Sequence, residues 1–166
     1  MVVEQLAAKH GAAWTADRQL NARCANAPKL GAQLLEPQTM MNLSGETLRQ
    51  AVRRTSIMPC DMLIVLDDVN LPLGALRLRP SGGDGGHHGL LSCIEALGTT
   101  DVPRLRVGVG AERMPSDLTD FVLGPFTKED TSVLNASLGR AVEACELWAA
   151  RGIESAMNFA NANQNP

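Results

Sequence analysis

The chain has 166 residues, 45% apolar and 20% charged, which suits one compact domain rather than two and excludes neither helix nor sheet as its frame. A formal net charge of -3 excludes a whole-protein basic field, so any contact with nucleic acid must come from a local patch. Aromatic residues make up only 3%, with no Tyr, so the core rests on Leu, Val, Ile, Ala and Met.

The first residues follow helical spacing through Val2, Val3, Leu6 and Ala7, and Gly11 is placed to end that helix. Residues 19–27 and 31–35 read as two strands joined near Pro28-Lys29, a hairpin. Ser44 is expected to N-cap a helix over residues 46–54 with Leu48 and Val52 on its apolar face. The run Met62-Leu63-Ile64-Val65-Leu66 is short and continuously apolar, as in a strand buried on both faces of a parallel sheet. Ala75 to Arg79 alternates Leu76 and Leu78 with Arg77 and Arg79, giving a strand with one basic, solvent-facing side. A glycine-rich loop follows, then a helix over residues 90–97, a strand over residues 104–109, and an amphipathic helix over residues 128–151 with Val133, Leu138, Val142 and Leu147 along one face. The pattern predicts an α/β fold in a single domain over residues 1–160: a mixed, mostly parallel central sheet flanked by helices, with 161–166 as a polar, frayed tail. Such domains commonly open with a strand, whereas this chain opens in a helix.

The four cysteines, Cys24, Cys60, Cys93 and Cys145, show no CxxC spacing and no nearby histidine cluster, so no metal is expected and buried free thiols are. Glu4 interrupts the first eight residues, which lack a basic start and an apolar stretch, and no apolar run nears the length of a membrane span; a cytoplasmic, soluble protein is expected.

Four constellations carry potential chemistry. In Leu66-Asp67-Asp68-Val69-Asn70, two acids are expected just past the end of a strand, the edge where α/β sheets bind ligands; Asp67 there would orient a histidine, or the acids would only cap a turn. Between Ser81 and Gly89, five glycines in nine residues allow close backbone approach, and the loop enters a helix whose first amides can hold an anion; it ends in paired His87 and His88. It is neither a P-loop nor a dinucleotide fingerprint. Asn42, in Met40-Met41-Asn42-Leu43-Ser44, offers an amide to a carbonyl or to water, or makes an Asx turn. Arg77, Arg79, Arg104 and Arg106 form a phosphate-binding patch if their strands are neighbours; for any one of them alone, a solvated strand face explains the charge.

In order and spacing, MMNLSG, LDDVNLPLGALRLR, GGDGGHHGLLSCI, PRLRVGVG and DFVLGPF resemble the bacterial-type peptidyl-tRNA hydrolase family over about the whole chain. The resemblance implies a monomeric, metal-free and cofactor-free α/β esterase that cleaves the bond between peptide and tRNA in peptidyl-tRNA. It implies that Asp67 pairs with the catalytic histidine, that Asn42 holds the substrate, and that Met41 lines the peptide groove. It also implies that Gly86 and His87 belong to the substrate-binding loop and that Arg79 and Arg106 take tRNA phosphates. His88 stands where the family has asparagine in a GGHNG motif, a group thought to fix the catalytic water and the oxyanion. Family members carry the catalytic histidine in a TRHN motif directly ahead of the helix that begins here at Met1, and His10 lies at the far end of that helix. The expectation is a start site assigned one segment late. The alternative is a catalytically weak or inactive RNA-binding relative.

Overall fold

In the computed structural model, described for residues 1–111 and 124–162, the opening pattern does give helix α1, Val2–Lys9, which ends before Gly11 at φ +64°. The Asp120–Leu123 part of the last motif and residues 163–166 of the expected tail lie outside the described residues. Met1, Val3–Ile64 and Arg79–Arg104 form one compact unit; Val2, Val65–Leu78 and the described residues of Leu105–Pro166 form a second.

The first unit holds an antiparallel sheet of β1 (Trp14–Asp17), β2 (Ala22–Ala27) and β3 (Ala32–Pro37) in that order. The β2–β3 hairpin turns at Pro28-Lys29 as expected, with Cys24 opposite Leu35 and Ala27 opposite Ala32. Strand β1 was not foreseen: four residues are too short a run to carry much signal. It is held by the ladder to β2 and by its exit turn, where Asp17 Oδ1 accepts from the Gln19 amide at 3.0 Å and the Leu20 amide at 2.9 Å. The Leu20 amide, then Arg54, keeps the Asp17 carboxyl below the usual carboxylate range.

Helix α2, Ser44–Thr55, lies over this sheet: Ala51 packs on a cluster of Leu20, Ala22, Cys24 and Leu35, and the fully buried Thr47 donates to the Leu20 carbonyl at 3.0 Å. Ser44 is not the N-cap. It is the first helical residue, and its hydroxyl donates back to the Met41 carbonyl at 2.9 Å, tying the helix to the preceding 3-10 turn, Met41–Leu43. Helix α3, His88–Leu97, crosses α2 at Gly45, whose amide donates to Ser92 Oγ at 3.0 Å. A Cβ at Gly45 would overlap the Ser92 carbonyl and lie 2.8 Å from the Ala96 Cβ, so only glycine allows this approach.

The remaining strands, β4 (Ile64–Pro72), β5 (Leu76–Arg79) and β6 (Arg104–Gly110), form a second sheet in the order β4-β6-β5. The α/β class holds, with its strands divided between two three-stranded sheets. Strand β4 outruns its expected end and takes in Asp67, Asp68 and Asn70, so these are strand residues, not turn residues; Ile64, Val65 and Leu66 are half-buried rather than enclosed on both faces. In the second unit, Leu76, Leu78, Leu105 and Val107 make the core with Leu134, Leu138, Ala141, Val142 and Cys145 of helix α4, Lys128–Asn161. Val133, expected on the apolar face, is exposed and Leu134 takes its place. The expected helix end at Arg151 marks a real break: Gly152 sits at φ +79°, and the chain then resumes helix. Asn161, read as the start of the polar tail, is docked: its side-chain amide accepts from the Leu78 amide at 2.9 Å and donates to the Leu78 carbonyl at 3.1 Å, standing in for a neighbouring strand.

Cys24, Cys93 and Cys145 are buried free thiols as expected, but Cys60 is exposed. Burial pushes the Cys93 thiol to about 11 and the Cys145 thiol to about 12, so neither forms the reactive thiolate near neutrality. At about pH 8 a disulfide-exchange reagent is expected to titrate Cys60 alone in the native protein and all four thiols in denaturant; a second fast native thiol would contradict this packing. Replacement Gly45→Ala is expected to cost about 1–3 kcal/mol through overpacking, seen as a fall in the denaturation midpoint of about 2–4 °C per kcal/mol.

Candidate active site

The α2–α3 crossing assembles the site of the first unit. Gly45 lies in α2's first turn, so holding it against Ser92 also holds the 3-10 turn Met41–Leu43 near the start of α3. The two motifs meet at Gly89. A Cβ there would lie 3.0 Å from both Met41 Cγ and His87 Cε1, so the bare glycine seats the methionine beside the histidine. Asn42, one residue on, is exposed, and its turn is closed by the Leu43 amide donating to the Met40 carbonyl at 2.9 Å.

His87 is the N-cap of α3. Its Nδ1 accepts from the Leu90 amide at 3.1 Å, which requires an unprotonated Nδ1 and puts the neutral ring's proton on Nε2. His88 is the first residue of the helix and is exposed. The first amides of a helix have no intrahelical carbonyl to donate to, and the helix dipole adds partial positive charge there. The end of α3 therefore offers donors suited to an anion or an oxyanion, next to the Asn42 amide.

The glycine loop is not a floppy turn. Asp84 Oδ2 accepts from the Gly86 amide at 2.8 Å, and the Asp84 carbonyl accepts from the His87 amide at 3.1 Å. Arg104, 2% exposed, is no part of a solvent-facing patch. Its Nε donates to the Val102 carbonyl at 2.7 Å, Nη1 to the carbonyls of Gly82 at 2.7 Å and Gly83 at 3.1 Å, and Nη2 to the Thr100 carbonyl at 3.1 Å. One guanidinium thus ties the start of the loop to residues 100–102, and the expected set Arg77, Arg79, Arg104 and Arg106 loses a member. Sequence gave no sign of this role, because alternation along a strand cannot tell a charge facing water from one facing carbonyls.

Arg79, at the end of β5, is exposed. The second unit holds Asp67, half-buried in β4, and Arg106, whose Nη2 forms an ion pair with Oδ2 of the buried Asp68. Asp68 Oδ1 also accepts from the Asn70 amide at 2.9 Å, so Asp68 is occupied structurally, and Arg106 reaches any phosphate with part of its fork engaged. A cleft of about 840 Å³ in this unit is lined by Asn70, Leu71, Val109, Phe126 and Asp130 among others; none of the expected site residues borders it. Among the described residues, no group of three or more His, Cys, Asp or Glu side chains is gathered for a metal ion, and no helix is long and apolar enough to cross a membrane.

Comparison with known proteins agrees with the motif reading. The family model for peptidyl-tRNA hydrolase matches residues 1–166. The peptidyl-tRNA hydrolase of Desulfitobacterium hafniense is 47% identical over 128 residues, 77% of this chain and 69% of that protein. That of Gloeobacter violaceus is 40% identical over 164 residues, 98% of this chain and 83% of the relative. The crystal structure of the Acinetobacter baumannii peptidyl-tRNA hydrolase superposes with a TM-score of 0.90 at 29% identity, covering 97% of this chain and 83% of that one.

Replacing Arg104 by Met keeps the bulk and removes the donors, leaving buried carbonyls without their partner. Expected are faster amide exchange at Gly82–Gly86 and a loss of the fixed loop, with exchange in the β1–β2–β3 sheet little changed; unchanged loop protection would show that the arginine is not what fixes it.

Proposed function

The chain belongs to the peptidyl-tRNA hydrolase family, and from that premise we propose that it hydrolyses the ester between peptide and tRNA in peptidyl-tRNA, releasing free tRNA for translation. The observation that carries this is the junction at Gly89, where the Met41-Asn42 turn is packed against the His87-capped start of α3.

The reaction needs three things: a base to take a proton from water, donors for the oxyanion that forms as water adds to the ester carbonyl, and a grip on the two halves of the substrate. The Asn42 amide and the free amides at the start of α3 are donors of the right kind, held rigid by the α2–α3 crossing and by Arg104. The imidazole of His88, in the place of the family's usual asparagine, both donates and accepts, and so substitutes for an amide in holding the attacking water. Asp67 takes the role of the carboxylate that orients the histidine base and stabilises its protonated form. Met41 offers a flexible thioether to varied peptide side chains, which suits a substrate whose peptide differs each time. Gly86 and His87 meet the tRNA end, and Arg79 and Arg106 take phosphates. On this reading the protein is a cytoplasmic monomer that needs no cofactor.

The test is hydrolysis of an N-acetylated aminoacyl-tRNA. With the family's TRHN segment placed ahead of the first helix, Asp67→Asn is expected to lower kcat by roughly 10²–10⁴-fold through loss of base assistance. Asn42→Ala should cost roughly 10²–10³-fold as a lost oxyanion donor. His88→Asn should stay within about tenfold of the parent, since the amide reproduces both donor and acceptor. Parent-like rates for Asp67→Asn and Asn42→Ala together would overturn the assignment.

A further inference from the structure

Helix α2 buries Gly45 and Thr47 and packs Ala51 on the sheet, which leaves Glu46, Arg49, Gln50 and Arg53 on its outer face. Glu46, Arg49 and Arg53 follow one another at steps of three and four residues, the spacing of a single helical face, and α2 begins directly after the 3-10 turn that carries Asn42. The face therefore leads away from Asn42 along α2, with Arg49 and Arg53 about 6 Å apart along the axis. A third arginine joins the far end. Arg54 Nη1 binds Asp17 Oδ2 at 2.7 Å and Arg54 Nη2 binds Gln19 Oε1, which brings the β1–β2 turn to the end of α2, and that turn carries the exposed Arg18.

All three arginines are exposed. Arg23 pairs with Glu36 and Glu4, Arg54 with Asp17 and Arg106 with Asp68, while Arg18, Arg49 and Arg53 make no ion pair among the described residues. Glu46 is the single acid on the α2 face, near the Asn42 end. Arg53 also complements the C-terminal dipole of α2, but Arg49 and Arg18 do not. Three unpaired guanidinium groups in a row match a row of phosphates, because each is planar, permanently charged and able to hold phosphate oxygens bidentately.

We propose that Arg49, Arg53 and Arg18 form a second tRNA-contacting track that grips the backbone of the tRNA body, independent of base sequence, while the ester lies at Asn42. The proposal rests on the reading of the chain as acting on peptidyl-tRNA. It adds Arg18, Arg49 and Arg53 to the arginines already assigned to phosphates, Arg79 and Arg106.

The test compares the parent with a triple variant, Arg18→Gln, Arg49→Gln and Arg53→Gln, and with a control triple of equal charge change, Lys29→Gln, Lys128→Gln and Arg151→Gln. Binding of deacylated tRNA is measured against KCl concentration. The track predicts that the arginine triple loses affinity on the order of tenfold or more, and that the slope of log affinity against log salt falls by about two to three units. The control should stay near the parent. In hydrolysis, the arginine triple should raise KM for peptidyl-tRNA with kcat within about twofold, and leave a peptidyl ester of the terminal adenosine alone unaffected. Equal salt slopes for the two triples would overturn the track, as would no measurable tRNA binding by the parent. So would an equal effect on the short ester, or competition by an acidic peptide that the triple abolishes, because either would put the arginines on the peptide side. A parent that binds tRNA through the arginines but hydrolyses no ester would refute the esterase reading and leave the track standing.

Discussion

A missing side chain organises the first unit. Because Gly45 has no Cβ, α2 and α3 approach until the Gly45 amide reaches Ser92 Oγ at 3.0 Å, and everything at their N-terminal ends is located by that contact. The 3-10 turn with Met41 and Asn42 runs straight into α2, and His87 and His88 run straight into α3. Two segments more than forty residues apart in sequence thereby acquire a fixed relation through backbone packing alone. Gly89 repeats the device one turn earlier, where its bare Cα admits the Met41 side chain.

Rigidity in the glycine loop comes from a different source. Glycine allows the loop its backbone conformations, with Gly82, Gly85 and Gly86 all at positive φ, yet the same freedom makes an unsupported loop entropically expensive to order. Arg104 answers this by turning the loop's carbonyls inward onto one buried guanidinium. The amides of Gly82, Gly86 and His87 are held as well, by the Thr100 carbonyl and by Asp84, which completes the fixing of the loop. The loop and the first turn of α3 are in this sense one preorganised unit, and catalysis of ester hydrolysis depends on donors that need not move when charge develops.

The sequence disclosed the elements far better than their partners. The hairpin and the four helical patterns were legible because each is local: alternation and 3.6-residue spacing. Motif spacing identified the family, and the structure brings Met41 and His87 of two of its motifs together at Gly89. What periodicity could not show was where each charge is directed. Arg104 and Arg106 alternate with Leu105 in the same manner as Arg77 and Arg79 alternate with Leu78, yet one is buried among carbonyls, one is bound to Asp68 and Arg79 is exposed. The docking of Asn161 was invisible for the same reason, since it exists only through a distant strand.

That difference bears on how an acidic protein approaches a polyanion. The basic residues that stand out by sequence clustering are in part internal: Arg104 and Arg106 stabilise loop and strand and contribute little free field. More of the free field comes from exposed residues scattered in sequence, Arg18, Arg49 and Arg53 among them, which make no ion pair among the described residues, and from Arg79, the exposed member of the cluster. Long-range attraction of a polyanion by a chain of net charge -3 is weak or repulsive, so association must rely on short-range, desolvated contacts at a few such places. A binding mode of that kind selects for the shape that brings several phosphates to these arginines at once. A folded tRNA presents such a surface, whereas a flexible single strand must first lose entropy to do so. Local cationic tracks on an acidic body thus favour a structured RNA over the larger pool of unstructured strands, a selectivity that a uniformly basic surface would lack.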